Sequence, residues 1–105
     1  MSRIADLETL LDASPDDPFL MYALASEYQN HASTMKALLM FEYLVNNHPE
    51  YIATYYPYSK ILFEAGNRVQ ALNLIQQGIE WGIKQNDMHA VGEMKALLAR
   101  WTDDD

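Results

Sequence analysis

Residues 21–49 read MYALASEYQNHASTMKALLMFEYLVNNHP, and residues 55–83 read YYPYSKILFEAGNRVQALNLIQQGIEWGI. Displaced by 34 residues, the two stretches carry one pattern. Tyr22 falls on Tyr56, Leu24 on Tyr58, Ala25 on Ser59 and Tyr28 on Leu62; further on, Ala37 falls on Ala71, Leu38 on Leu72 and Phe41 on Ile75. Within each stretch the apolar residues return at three and four positions and not at two, the period of a helix that buries one face. The same shift also runs backward, taking Leu7 onto Phe41, Leu10 onto Leu44, Leu11 onto Val45, Asp12 onto Asn46 and Pro15 onto Pro49. A fixed period of this length means that one supersecondary unit is repeated, and that copies must stack to bury their apolar stripes.

Outward from these stretches the helical period persists. Ile4, Leu7 and Leu11 share a face near the N-terminus, and Val91, Met94, Leu97, Leu98 and Trp101 share one near the C-terminus. No segment alternates apolar and polar residues with β-branched enrichment, so strands are not expected. The chain reads as all-α, with about six antiparallel helices. Asp17 before Pro18 predicts a helix start, because the carboxylate accepts free N–H groups and proline at the first helical position loses no needed donor. Ser33 and Asn67 are expected to cap in the same way, Gly66 to close a helix in the left-handed conformation, and Asn86 or Asp87 to open the last helix. Pro57 lies just past the first turn of a helix starting near Tyr51 or Ile52, so a small distortion is predicted there.

The period and its residues resemble the tetratricopeptide repeat family, whose unit is a helix–turn–helix. Met21, Leu24, Ala25 and Tyr28 match the first helix of that pattern; Ala37, Phe41 and Pro49 match the second, with Leu44 oversized. Tyr55, Tyr58, Ser59, Leu62, Ala71, Ile75 and Gly78 form a looser second copy, with Ile83 where proline would stand. The resemblance implies a right-handed helix–turn–helix repeat solenoid over residues 1–105 as one domain. Residues 2–15 form an outer-type helix, 18–51 and 52–85 two full repeats, 87–101 a capping helix and 102–105 an acidic tail.

Composition bounds what such a domain can do. Seven Lys+Arg against 15 Asp+Glu give a net charge of −8, which argues against nucleic acid, since phosphate binding needs clustered cations. There is no cysteine, which removes disulfide and thiolate chemistry. No apolar run approaches a membrane span and the N-terminus lacks the basic-then-apolar layout of a leader, so a cytoplasmic location is expected. His31, His48 and His89 are scattered, and only His89–Glu93 has a ligand-like helical spacing, which reads as a solvated pair. With four glycines there is no phosphate-cradling loop, and Asp16–Asp17 reads as a helix entry. Neither an enzyme nor a cofactor or metal site is expected.

The resemblance places a peptide-binding groove on the first helix of each unit. Here that groove would be floored by Phe19, Tyr22, Tyr56 and Phe63, with Ser26, Gln29, Asn30 and Lys60 as polar contacts. The implied function is a protein–protein interaction module taking a peptide or helical segment of a partner of unknown identity. Equally, rings at helical spacing pack as ordinary core, and the groove requires that the last helix does not fold over Tyr56 and Phe63. The lysine and asparagines by which some relatives hold a C-terminal carboxylate are replaced by Tyr22, Ser26 and Pro57, which favours an apolar or mixed peptide. The alternative is a homodimer that consumes the same apolar surface.

Overall fold

The computed structural model describes residues 2–103. These form six α-helices and no strand: α1 (Arg3–Ala13), α2 (Pro18–Asn30), α3 (Thr34–Asn47), α4 (Tyr55–Glu64), α5 (Arg68–Lys84) and α6 (Met88–Thr102). The all-α helix–turn–helix repeat expected from the 34-residue echo is the observed fold. The chain divides into two compact units between Tyr51 and Ile52.

In the first unit α2 and α3 form a hairpin and α1 packs on α2. The α2 start is as the sequence predicts, with Asp17 accepting the N–H groups of Phe19 and Leu20 and Pro18 at the first helical position. The core is drawn from the apolar stripes: Leu7, Met21, Leu24, Ala25, Tyr28, Ala37, Phe41 and Leu44 are buried. Ala25 and Ala37 have no exposed surface, as befits small residues where two helices approach closely. Ile4 and Leu11 remain half-buried, so α1 contributes one fully buried residue, Leu7. Two polar contacts supplement it: Arg3 Nε donates to Glu27 Oε1 at 2.8 Å, and the Tyr28 hydroxyl donates to Glu8 Oε2 at 2.7 Å.

The second unit is a hairpin of α4 and α5 with α6 packed on α5. A 3₁₀ turn over Ile52–Thr54 precedes α4, which shifts the α-helical start to Tyr55. Pro57 thereby falls in the first α-helical turn, where a missing N–H leaves no ladder bond unmade. The irregularity therefore lies upstream, at Ile52–Thr54, and not at Pro57, where the sequence predicts a distortion. Buried within the 3₁₀ turn, the Thr54 Oγ1 has no hydrogen-bond partner. Helix α5 is longer than α3. Pro49 stops α3 at Asn47, whereas Ile83 at the matching place lets α5 run on to Lys84.

On α5, Gly78 and Gly82 lie one turn apart and are both buried. A Cβ on Gly78 would lie 2.6 Å from Tyr55 Cβ and 2.7 Å from Met94 Sδ, and one on Gly82 would lie 2.6 Å from Val91 Cγ2. The missing side chains are therefore what admits α4 and α6 to this stretch of α5. Helix α6 fills the space with Val91, Met94, Leu97 and Trp101, all buried.

Three of the interhelical turns share one geometry. Ala32, Gly66 and Asn86 take left-handed backbone at φ of 59°, 91° and 59°. In each, the following N–H closes a backbone bond of 2.8 Å onto the helix before it: Ser33 to the Tyr28 carbonyl, Asn67 to Leu62 and Asp87 to Gly82. Asp87 also caps α6 by accepting the Ala90 N–H, but Ser33 and Asn67 make no side-chain cap bond. The capping expected of those two is thus replaced by the backbone closure. Asp103 follows α6, its N–H donating to the Ala99 carbonyl; Asp104 and Asp105 of the acidic tail lie outside the described residues.

Candidate functional site

The face of α2 opposite Met21, Leu24 and Tyr28 is built from Phe19, Tyr22, Ser26, Gln29 and Asn30, which the helical period places together. Phe19 follows the Asp17–Pro18 cap and is 62% exposed. Gln29 and Asn30 are exposed at the far end, and Ser26 is half-buried between them. Tyr22 is half-buried too. Its ring leans on Phe41 at 6.4 Å between centroids and on Tyr51 at 5.9 Å, both tilted. Burial raises the Tyr51 hydroxyl above its ordinary pKa, and the neighbouring Tyr22 and Asp17 add to the shift.

The corresponding face of α4 carries Tyr56, Lys60 and Phe63. Lys60 is exposed and Tyr56 half-buried, the latter's carbonyl accepting the Ser59 hydroxyl at 3.1 Å. Phe63 stacks on Trp101 of α6 with centroids 4.4 Å apart and planes 4° from parallel. Arg68 lies over the same ring at 5.5 Å and donates from Nη2 to the Trp101 carbonyl at 3.1 Å. One face of Phe63 is therefore committed to holding α6. Of the four rings singled out in the sequence, Phe19 stands mostly in solvent, while Tyr22 and Phe63 each lean on another ring.

Two further features were not singled out. His48 Nε2 lies 3.0 Å from Asp16 Oδ1, joining the end of α3 to the α1–α2 turn. The outer side of α3 bears an exposed apolar row, with Met35 at 70%, Leu39 at 61% and Tyr43 at 46% exposure. The signal for that row was present, since its members recur every four residues opposite Ala37, Phe41 and Leu44. It is masked by the stronger core stripe on the same helix.

Among the described residues no cluster of three His, Cys, Asp or Glu side chains could hold a metal ion. His89 Nε2 lies 3.4 Å from Glu93 Oε1, with side-chain exposures of 88% and 59%, a solvated helical pair. No described helix is long and apolar enough to cross a membrane.

Neither a protein-family model nor a curated protein sequence matches the chain. Solved structures do. A tetratricopeptide repeat domain protein from Salinibacter ruber, determined in solution, superposes with a TM-score of 0.80 at 31% identity, over 85% of this chain and 90% of that one. The crystal structure of a tetratricopeptide repeat domain protein from the same organism gives 0.77 at 32% identity, over 83% and 99%. A Bordetella parapertussis protein shares the fold at a TM-score of 0.83 and 23% identity, over 100% and 91%. With the 34-residue period, the small residues at the helix crossings and these similarities together, the chain belongs to the tetratricopeptide repeat family.

Proposed function

We propose that this chain is a protein-interaction module that binds a peptide or helical segment of a partner protein, with the outward face of α2 as one contact surface and that of α4, in the other unit, as a second. The observation that carries the reading is Phe19. A large ring left 62% exposed at the start of α2, on one face with Ser26, Gln29 and Asn30, offers an apolar anchor beside adaptable hydrogen-bonding groups. Such a ring contributes much interface area while few torsions are frozen. Lys60 gives the α4 face a cation in a chain of net charge −8, and Tyr56 a second half-buried ring. The absence of a paired lysine and asparagine at Tyr22, Ser26 and Pro57 favours a partner recognised through apolar and amide groups over one recognised through a terminal carboxylate.

The test uses exposed positions only, because truncating Tyr22 or Phe63 would also disturb Phe41, Tyr51 or Trp101. Wild type and Phe19→Ala/Lys60→Ala are compared for retention of host proteins, and any retained protein is then titrated in purified form. The double variant is expected to keep its unfolding midpoint and to lose about 2 kcal/mol or more of affinity. Equal affinity for both proteins would overturn the assignment to these faces.

A further inference from the structure

The exposed row on α3 is independent of the α2 and α4 faces, and its pattern specifies its own occupant. Met35, Leu39 and Tyr43 are spaced at four residues and span about 12 Å of helix. Rows of this spacing run at about 26° to the helix axis, so two of them lie parallel to one another when the helices cross at about 50°. Lys36 and Glu42 flank the row on opposite sides, each about 60° around the helix from Leu39. Both are exposed, and neither is in an ion pair. The Lys36 ammonium lies 5.5 Å from the centre of the Tyr28 ring of α2, a contact that this exposed, long side chain can exchange for a carboxylate.

We propose that this face pairs with the same face of a second copy of the chain, about a two-fold axis running along the Met35–Leu39–Tyr43 row. In that arrangement the two rows meet like on like, with Leu39 against Leu39 at the centre. The flanking charges then complement one another. Lys36 of each copy lies beside Glu42 of the other, once on either side of the row. The opposite sense of crossing sets Lys36 against Lys36 and Glu42 against Glu42, so charge selects the first. The pairing also places a basic residue of each copy at the contact between two acidic molecules, where it offsets their mutual repulsion. A single crossing of two helices buries a small area, so the dimer is a weak one.

Sedimentation equilibrium over a dilution series tests the pairing. Wild type is expected to pass from monomer to dimer and no further as concentration rises. Leu39→Glu, at a position 61% exposed, is expected to stay monomeric throughout with an unchanged unfolding midpoint. Lys36→Glu changes the net charge from −8 to −10, whereas Glu42→Lys changes it from −8 to −6. General repulsion between acidic chains would make Glu42→Lys dimerise more tightly. The proposed contact makes both single variants weaker by about five- to tenfold, with the double variant back near wild type. A wild type that remains monomeric, a dimer indifferent to Leu39→Glu, a tighter Glu42→Lys dimer, or a double variant that fails to recover would each overturn the proposal.

Discussion

Each unit is a repeat hairpin carrying a third helix, but the third helix joins from opposite ends of the chain and is held by different forces. Helix α1 packs on α2 with one fully buried residue, Leu7, and two polar tethers, Arg3–Glu27 and Glu8–Tyr28. Helix α6 packs on α5 with four buried apolar residues, lies over two glycines, and stacks Trp101 on Phe63. Two helices of similar periodicity in the sequence are thus docked one through charge and hydrogen bonds, the other through close packing. Contacts of the first kind respond to salt and pH; those of the second respond to volume.

The comparison breaks if the energetic ranking reverses. Trp101→Ala should destabilise by about 3–5 kcal/mol, read from urea unfolding, because it removes a buried ring and its stacking partner's support. Arg3→Ala, at a largely solvated ion pair, should cost under about 1 kcal/mol. Equal losses would mean that α1 and α6 are held alike.

Gly78→Ala sharpens the packing side of the comparison. In an open helix the change would favour folding by about 1 kcal/mol. Here the added carbon meets Tyr55 Cβ and Met94 Sδ well inside contact distance. Tyr55 Cβ sits next to the backbone and cannot swing away, so a net destabilisation of about 1–3 kcal/mol is expected. A stabilised variant would show that α4 and α6 do not close over α5 as described.

The polar side of the comparison has a pH-dependent test of its own. Burial, reinforced by the Glu8 carboxylate, moves the Tyr28 hydroxyl from its ordinary pKa of 10.0 up to about 12. Folding therefore holds this proton more tightly than the unfolded chain does. The contribution is complete below pH 10 and is lost as pH rises from there through about 12. Tyr28→Phe should cost about 0.5–1.5 kcal/mol at neutral pH. Compared at neutral and at about pH 11, the variant's unfolding midpoint should fall less than that of wild type. Parallel declines would place the alkaline sensitivity elsewhere.

The fold was legible because a 34-residue echo needs only the apolar period, and that period survives even where residue types drift, as from Phe41 to Ile75. Local starts were legible where one side chain decides them, as at Asp17. They were not at Ser33 and Asn67, where a backbone bond from the turn replaces the side-chain cap. The helical wheel found the outward faces of α2 and α4, but which ring on them is free depends on Tyr51 and Trp101, residues remote in the chain that no wheel can place. The α3 row was present in the sequence but overshadowed by the core stripe on the same helix; exposure separates the outer apolar row from the inner one.

The three matching turns differ in what occupies the left-handed position. Glycine at 66 and asparagine at 86 suit it, but Ala32 at φ 59° carries a methyl group against its own backbone. The genetic code places glycine one middle-base change from alanine. A stability gain thus lies a single mutation away, and small domains have so thin a margin that such a reserve matters. The turn at residue 32 is where this chain could most cheaply absorb a damaging substitution elsewhere in its first unit.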